Sequence, residues 1–132
     1  MAATGAHSQR RGPTPGARAR LDAADRLLRE PEAVEAAVWP RACTWLIRIA
    51  VEHGVDDYWS GTAPAVARTN RRAQFVVLRH REPELGQRAE ELWSRLSRAA
   101  HHHAYELAPT AAELRAWHGE AEAVIKGLAH GR

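Results

Sequence analysis

Prolines divide this chain before any other residue does. Pro31, Pro40, Pro64, Pro83 and Pro109 stand between segments whose apolar residues recur every three to four positions, the period of one helix face. Proline lacks the backbone N–H that a helix interior needs and clashes with the preceding turn, so each one starts, kinks or stops a helix. No segment between them carries the strict alternation of a half-buried strand. Alanine is abundant, while β-branched and aromatic residues are too scattered to build a sheet. The expected fold is all-α, an antiparallel helical bundle of four to five helices.

Residues 1–17 are expected to be a disordered basic tail broken by Gly5, Gly12, Pro13, Pro15 and Gly16, and residues 18–132 a single helical domain. Leu21, Ala24, Leu27 and Leu28 form the stripe of a first helix that ends before Pro31. Val34, Val38, Ala42, Trp45, Ile49 and His53 then recur at helical spacing, with Pro40 inside the run as a kink or a new start. Ser60–Pro64 is predicted to be a turn. A third helix is expected over 64–80, a fourth from Pro83 to Leu107 and a final one after Pro109. Thr110 and Glu113 have the spacing of a capping box, in which each side chain satisfies a free N–H of the other residue.

Charge excludes one function class at the global level. Arg10, Arg11, Arg18 and Arg20 lie in the first twenty residues, which hold no acid, and from Leu21 onward fifteen basic residues face sixteen acidic ones. The folded part is nearly neutral, so any phosphate site must be local. Eighteen arginines and one lysine, Lys126, amid so much alanine and glycine point to a GC-rich bacterial genome. Ser8-Gln9-Arg10-Arg11 has the paired arginines of an export signal but not the apolar region that must follow. Cys43 stands alone, which suits a reducing cytoplasm, and no apolar run approaches membrane-spanning length. The expected location is cytoplasmic, with no membrane partner.

The chemistry is concentrated in Arg95-Leu96-Ser97-Arg98-Ala99-Ala100-His101-His102-His103. Arginine supplies a permanent charge with a fork of donors that matches phosphate, and histidine moves a proton near neutral pH. On a continuous helix turning ~100° per residue, His103 falls in the apolar stripe near Leu85 and Leu96. His102 falls on a flank with Glu91, Arg95, Arg98 and Glu106, and His101 points away from the core. Arg98 with His103 or His102, and Arg95 beside them, are the candidate catalytic residues. A core histidine at 103 and an ordinary surface polar network at 98–106 are the structural alternatives.

The Arg-then-His segment resembles the signature of the HEPN superfamily, all-helical domains that often act as metal-independent ribonucleases in toxin and antiphage systems. The run 41–52 is similar to an earlier core helix of that family, where an Arg-x-x-x-Glu step sits among apolar residues; here the step is Arg48 and Glu52. The resemblance spans roughly residues 34–118. It implies a homodimer that pairs two motif helices across a two-fold axis, an RNA substrate and, in a toxin setting, a protein antitoxin. It further implies that Arg98 clamps phosphate, that a histidine of 101–103 is the base, and that Arg48 and Glu52 support the site. Ala99 follows Arg98 where active members commonly carry a polar residue. The alternative is therefore a catalytically inactive HEPN-like module for dimerisation and for protein or nucleic-acid binding.

Other sites are weaker. Consecutive residues on a helix point in different directions, so one zinc ion cannot collect three neighbouring histidines. His102 with Glu106 gives two ligands, and His118 adds a third only through tertiary placement. No metal and no cofactor is expected. Of the five tryptophans most are expected to anchor the core or an interface, and Tyr58-Trp59 beside a predicted turn is a candidate for stacking on a base. Cys43 is expected to be a small buried residue.

Overall fold

The computed structural model describes residues 15–101 and 107–131, which form six α-helices and no strand. They are α1 (Pro15–Arg29), α2 (Trp39–Thr62), α3 (Pro64–Ala67), α4 (Arg71–Arg81), α5 (Pro83–Ala100) and α6 (Ala111–Gly131), with a short 3₁₀ turn at Pro31–Ala33. The all-α expectation holds, with one helix more than the four to five expected. Prolines 40, 64 and 83 all sit in a first helical turn, where the missing N–H has no intrahelical partner to lose. Pro40 therefore starts a helix rather than kinking one.

Where an antiparallel bundle was expected, two parallel helices, α2 and α6, form the middle of the fold, because α3, α4 and α5 intervene in the chain between them. Gly54 of α2 meets Ile125 and Leu128 of α6, and a Cβ at Gly54 would lie 3.2 Å from Ile125 Cγ1. On one flank lies α1, antiparallel to both. Gly16 faces His53, Cys43 Sγ reaches Ala24 O, and three polar contacts tie α1 to α6: Arg18 to Glu122, His118 Nε2 to Leu21 O, and Arg115 Nη2 to Leu28 O. On the other flank lies α5, also antiparallel to both, with Leu85 against Gly127 and Arg88 paired to Glu120. Leu21, Ile47, Val51, Tyr58, Trp59, Leu92, Leu96, Leu114, Ile125 and Leu128 fill the space between.

Several expectations are corrected. Helix α1 begins at Pro15, inside the stretch 1–17 assigned to a tail, and Ala17 is buried; residues 1–14 lie outside the described residues. The stripe expected to bury α2 is its outer face. Val38 is 44% and Trp45 53% exposed, while Cys43, Ile47, Ala50, Val51, Gly54 and Val55 are buried. Helix α2 is apolar on two faces, so periodicity alone does not say which one meets the core. The predicted Ser60–Pro64 turn shrinks to Ala63, whose N–H closes α2 on Trp59 O. The third helix is split by residues 68–70. There the Gln74 amide, buried at 3% exposure, donates to the carbonyls of Val66, Ala67 and Thr69, replacing the helical bonds lost at the break. Helix α5 ends at Ala100, and Leu107, predicted on its stripe, is 96% exposed in irregular backbone. The Thr110–Glu113 capping box forms as expected: Thr110 N–H donates to Glu113 Oε1 at 2.9 Å, and Glu113 N–H to Thr110 Oγ1 at 3.1 Å.

Candidate anion-binding face

Helix α5 is strongly sided. Ala89, Leu92 and Leu96 point into the core, and Arg95 on the flank and Arg98 beyond it, one turn apart, are exposed. Neither arginine has an ion-pair partner among the described residues, whereas Arg88 is forked onto both carboxylate oxygens of Glu120 and Arg79 is held by Glu90. The guanidinium of Arg88 beside Glu120 holds that carboxyl below its ordinary range, and Arg95 adds to the same field.

Arg95 and Arg98 form the ridge between two open grooves. The smaller, about 330 Å³, runs toward α4 past Ser94, Glu90, Glu91 and Arg79. The larger, about 610 Å³, lies between the end of α5 and the start of α6, floored by the half-buried Trp117 and bounded by Pro109, Thr110 and Glu113. Glu113 is committed to the capping box, so its carboxylate is directed at a backbone N–H. Two donor forks, an aromatic face and a groove are thus brought together. That set can hold a phosphate and offer a ring surface beside it.

The histidines are placed only in part. His101 is exposed and caps α5, its N–H donating to Arg98 O at 3.2 Å. His102, His103 and Glu106 lie outside the described residues, so the helical placement of His103 beside Leu85 and Leu96 has no counterpart here. Arg48 Nε meets Glu52 Oε2 at 3.3 Å, and the same oxygen accepts from Trp93 Nε1 at 2.8 Å. At ~100° per residue, Trp93 lies roughly 140–160° around α5 from Arg95 and Arg98. The pair therefore joins α2 to α5 on the side away from the arginine ridge.

The remaining candidates divide sharply. Tyr58 and Trp59 are fully buried, so they cannot stack on a base, and Tyr58 Oη instead accepts from Arg81 Nε. That correction follows from α2 continuing through the predicted turn. His118 spends Nε2 on Leu21 O, and no group of three metal-ligating side chains occurs among the described residues. Cys43 is buried, and burial pushes its thiol up to about 11 against the opposing field of Arg115. No helix among the described residues is long and apolar enough to cross a membrane. Trp117 was expected only as a core or interface anchor; its place in the groove depends on how α5 and α6 end. In comparisons with known proteins, the chain matches no family model, no curated protein and no solved structure.

Proposed function

We propose that this chain is a HEPN-like helical module that grips the phosphodiester backbone of RNA through Arg95 and Arg98. One observation supports the reading above others: two exposed arginines, one turn apart and without ion-pair partners among the described residues, border a groove that contains Trp117. A phosphate in the groove supplies the counter-charge that the protein does not. The test is binding of a labelled single-stranded RNA to the purified full chain and to Arg95→Ala/Arg98→Ala. Loss of binding in a variant with unchanged helical circular dichroism supports the site; unchanged affinity rejects it.

A second reading adds chemistry, and it is favoured by His101 leaving α5 directly after the turn that carries Arg98. In a metal-independent endoribonuclease a neutral histidine of the 101–103 run, with His103 or His102 as the base, takes the 2′-OH proton. The alkoxide attacks the adjacent phosphorus, the P–O5′ bond breaks as a 2′,3′-cyclic phosphate forms, the 5′-oxygen leaves with a proton taken from water, and the histidinium returns its proton to solvent. Arg98, with Arg95, stabilises the charge on phosphorus oxygens. Inducing the wild type and Arg98→Ala/His103→Ala in a bacterial host separates the two readings. Growth arrest with cleaved RNA in the wild type alone establishes the nuclease, and a protein that neutralises it is then the partner to seek. Intact RNA in both leaves the binding module.

A further inference from the structure

We infer that the groove between the arginine ridge and α4 reads a guanine base, with Glu91 as the specificity-determining residue. The inference rests on the RNA reading and narrows its ligand to a single strand with guanosine beside the phosphate held by Arg95 and Arg98. Gln87, Glu91, Ser94 and Arg98 fall within ~60° of one another around α5, with Arg95 on their flank. All five line this groove together with Arg79 and Glu90. Glu91 and Arg98 are seven residues apart, ~10 Å along the helix. That is comparable to one nucleotide laid from its phosphate to the far edge of its base.

Charge decides what can enter. Two carboxylates line the groove, so a phosphate is held at the ridge and repelled from the space beside it. Glu90 is already committed, because its Oε1 holds Arg79 at 3.1 Å. Glu91 is exposed and makes no ion pair among the described residues, although Arg95 stands at the four-residue spacing of ordinary helical pairs. Its Oε2 accepts from the Gln87 amide at 3.2 Å, which orients the carboxylate and leaves most of its acceptor sites open. Such a group selects a neutral ring with two adjacent donors. Guanine carries N1–H and the 2-amino group side by side on its pairing edge and gives a carboxylate two parallel bonds. Adenine and cytosine offer one amino group beside an acceptor, and uracil sets its N3–H between two carbonyl oxygens that face the charge. The Ser94 hydroxyl, in the same groove, supplies a donor for guanine O6.

The full chain is titrated at one fixed salt concentration against labelled oligouridylates that differ only at a central position: uridine, guanosine, inosine, adenosine or cytidine. Guanosine is expected to bind about five- to tenfold more tightly than uridine, the lower end for a bidentate contact because the groove is open to water. Inosine, which keeps N1–H and lacks the 2-amino group, should fall between them. Glu91→Gln is the deciding variant, and the exposed position lets it fold. Its amide pairs one acceptor with one donor, the match for uracil N3–H and O4, so guanosine should lose its lead and uridine should gain. A guanosine preference that survives Glu91→Gln overturns the inference. So does an equal gain for every oligonucleotide in that variant, which would make Glu91 a plain repulsive charge. Equal binding of all five to the wild type removes the base subsite and leaves the phosphate site standing; binding of none removes both.

Discussion

Trp93 and Glu52 are joined across two helices: the indole N–H donates to Oε2 at 2.8 Å, and Arg48 holds the same oxygen from one turn away along α2. The carboxylate is only 17% exposed, so it has little water to replace a lost donor. The ring also packs against Phe75 of α4 at 5.4 Å between centroids. One side chain thus fixes α5 against both α2 and α4, on the face of α5 opposite the arginine ridge.

Trp93→Phe keeps most of the ring contact and deletes the donor. The expected loss is about 1.5–3 kcal/mol of unfolding free energy, the range for a hydrogen bond to a charged group. Denaturant titration should show a lower midpoint with an unchanged slope. RNA affinity should stay at the wild-type value, because Arg95 and Arg98 lie on the other side of the helix. A fall in affinity with unchanged stability would instead place Glu52 and Arg48 in support of the ridge.

The hairpin of α4 and α5 turns on Gly86. A Cβ there would sit 2.8 Å from both N and Cα of Arg79, and backbone cannot swing aside as a side chain can. Gly86→Ala must separate the two helices. Overpacking of this kind costs about 1–3 kcal/mol, which exceeds the ~1 kcal/mol gained from alanine's helix propensity. Gly119, exposed in the middle of α6, has nothing within 4 Å of its added Cβ. Gly119→Ala should therefore stabilise by about 0.5–1 kcal/mol. Thermal melts of the two variants should move in opposite directions.

These relationships also mark how far the amino-acid sequence could be read. Proline positions and apolar periods located the starts of α3, α5 and α6, because those signals act within one helical turn, while Pro40 left open whether it kinked a helix or began α2. The Thr110–Glu113 box was legible for the same reason. The buried face of α2 was not, since Val38, Trp45 and Ile49 make as good a stripe as Ile47, Val51 and Val55. Only the packing of α1, α5 and α6 separates them. Gln74 gave no signal either, because its role depends on three carbonyls that face it only after the chain breaks at 68–70. Of the candidate site, Arg95 and Arg98 were readable from helix phase, while Trp117 enters only through the tertiary groove.

Cys43 makes stability fall at alkaline pH. Its thiol ordinarily ionises near 9, and burial raises that to about 11 in the fold. The folded state holds the proton more tightly than the unfolded chain. The stabilisation is complete below pH 9 and is lost as pH rises toward 11, at no more than about 1.4 kcal/mol per pH unit. Unfolding free energies between pH 8 and 11 should decline in the wild type, and Cys43→Ala should remove the part of that decline due to the thiol. A thiol reagent at neutral pH should label the native protein far more slowly than the unfolded chain.

The arginine ridge makes a quantitative prediction about salt. A protein group that neutralises one phosphate of a single strand releases ~0.7 of a counterion, so each such contact steepens the dependence of log affinity on log salt by about that amount. Removing Arg95 and Arg98 together should lower the slope by about 1.4 and weaken binding at every sequence tested, because phosphate contacts carry no base information. Arg88→Ala is the control. Its guanidinium is already forked onto Glu120, so it contributes no free charge to the strand and its loss should leave the slope unchanged. Trp117→Ala should act differently from all of these, weakening single-stranded RNA while leaving the salt slope intact, since a stacked ring displaces no counterion. Equal slopes in the wild type and the Arg95→Ala/Arg98→Ala variant would remove both arginines from the binding face.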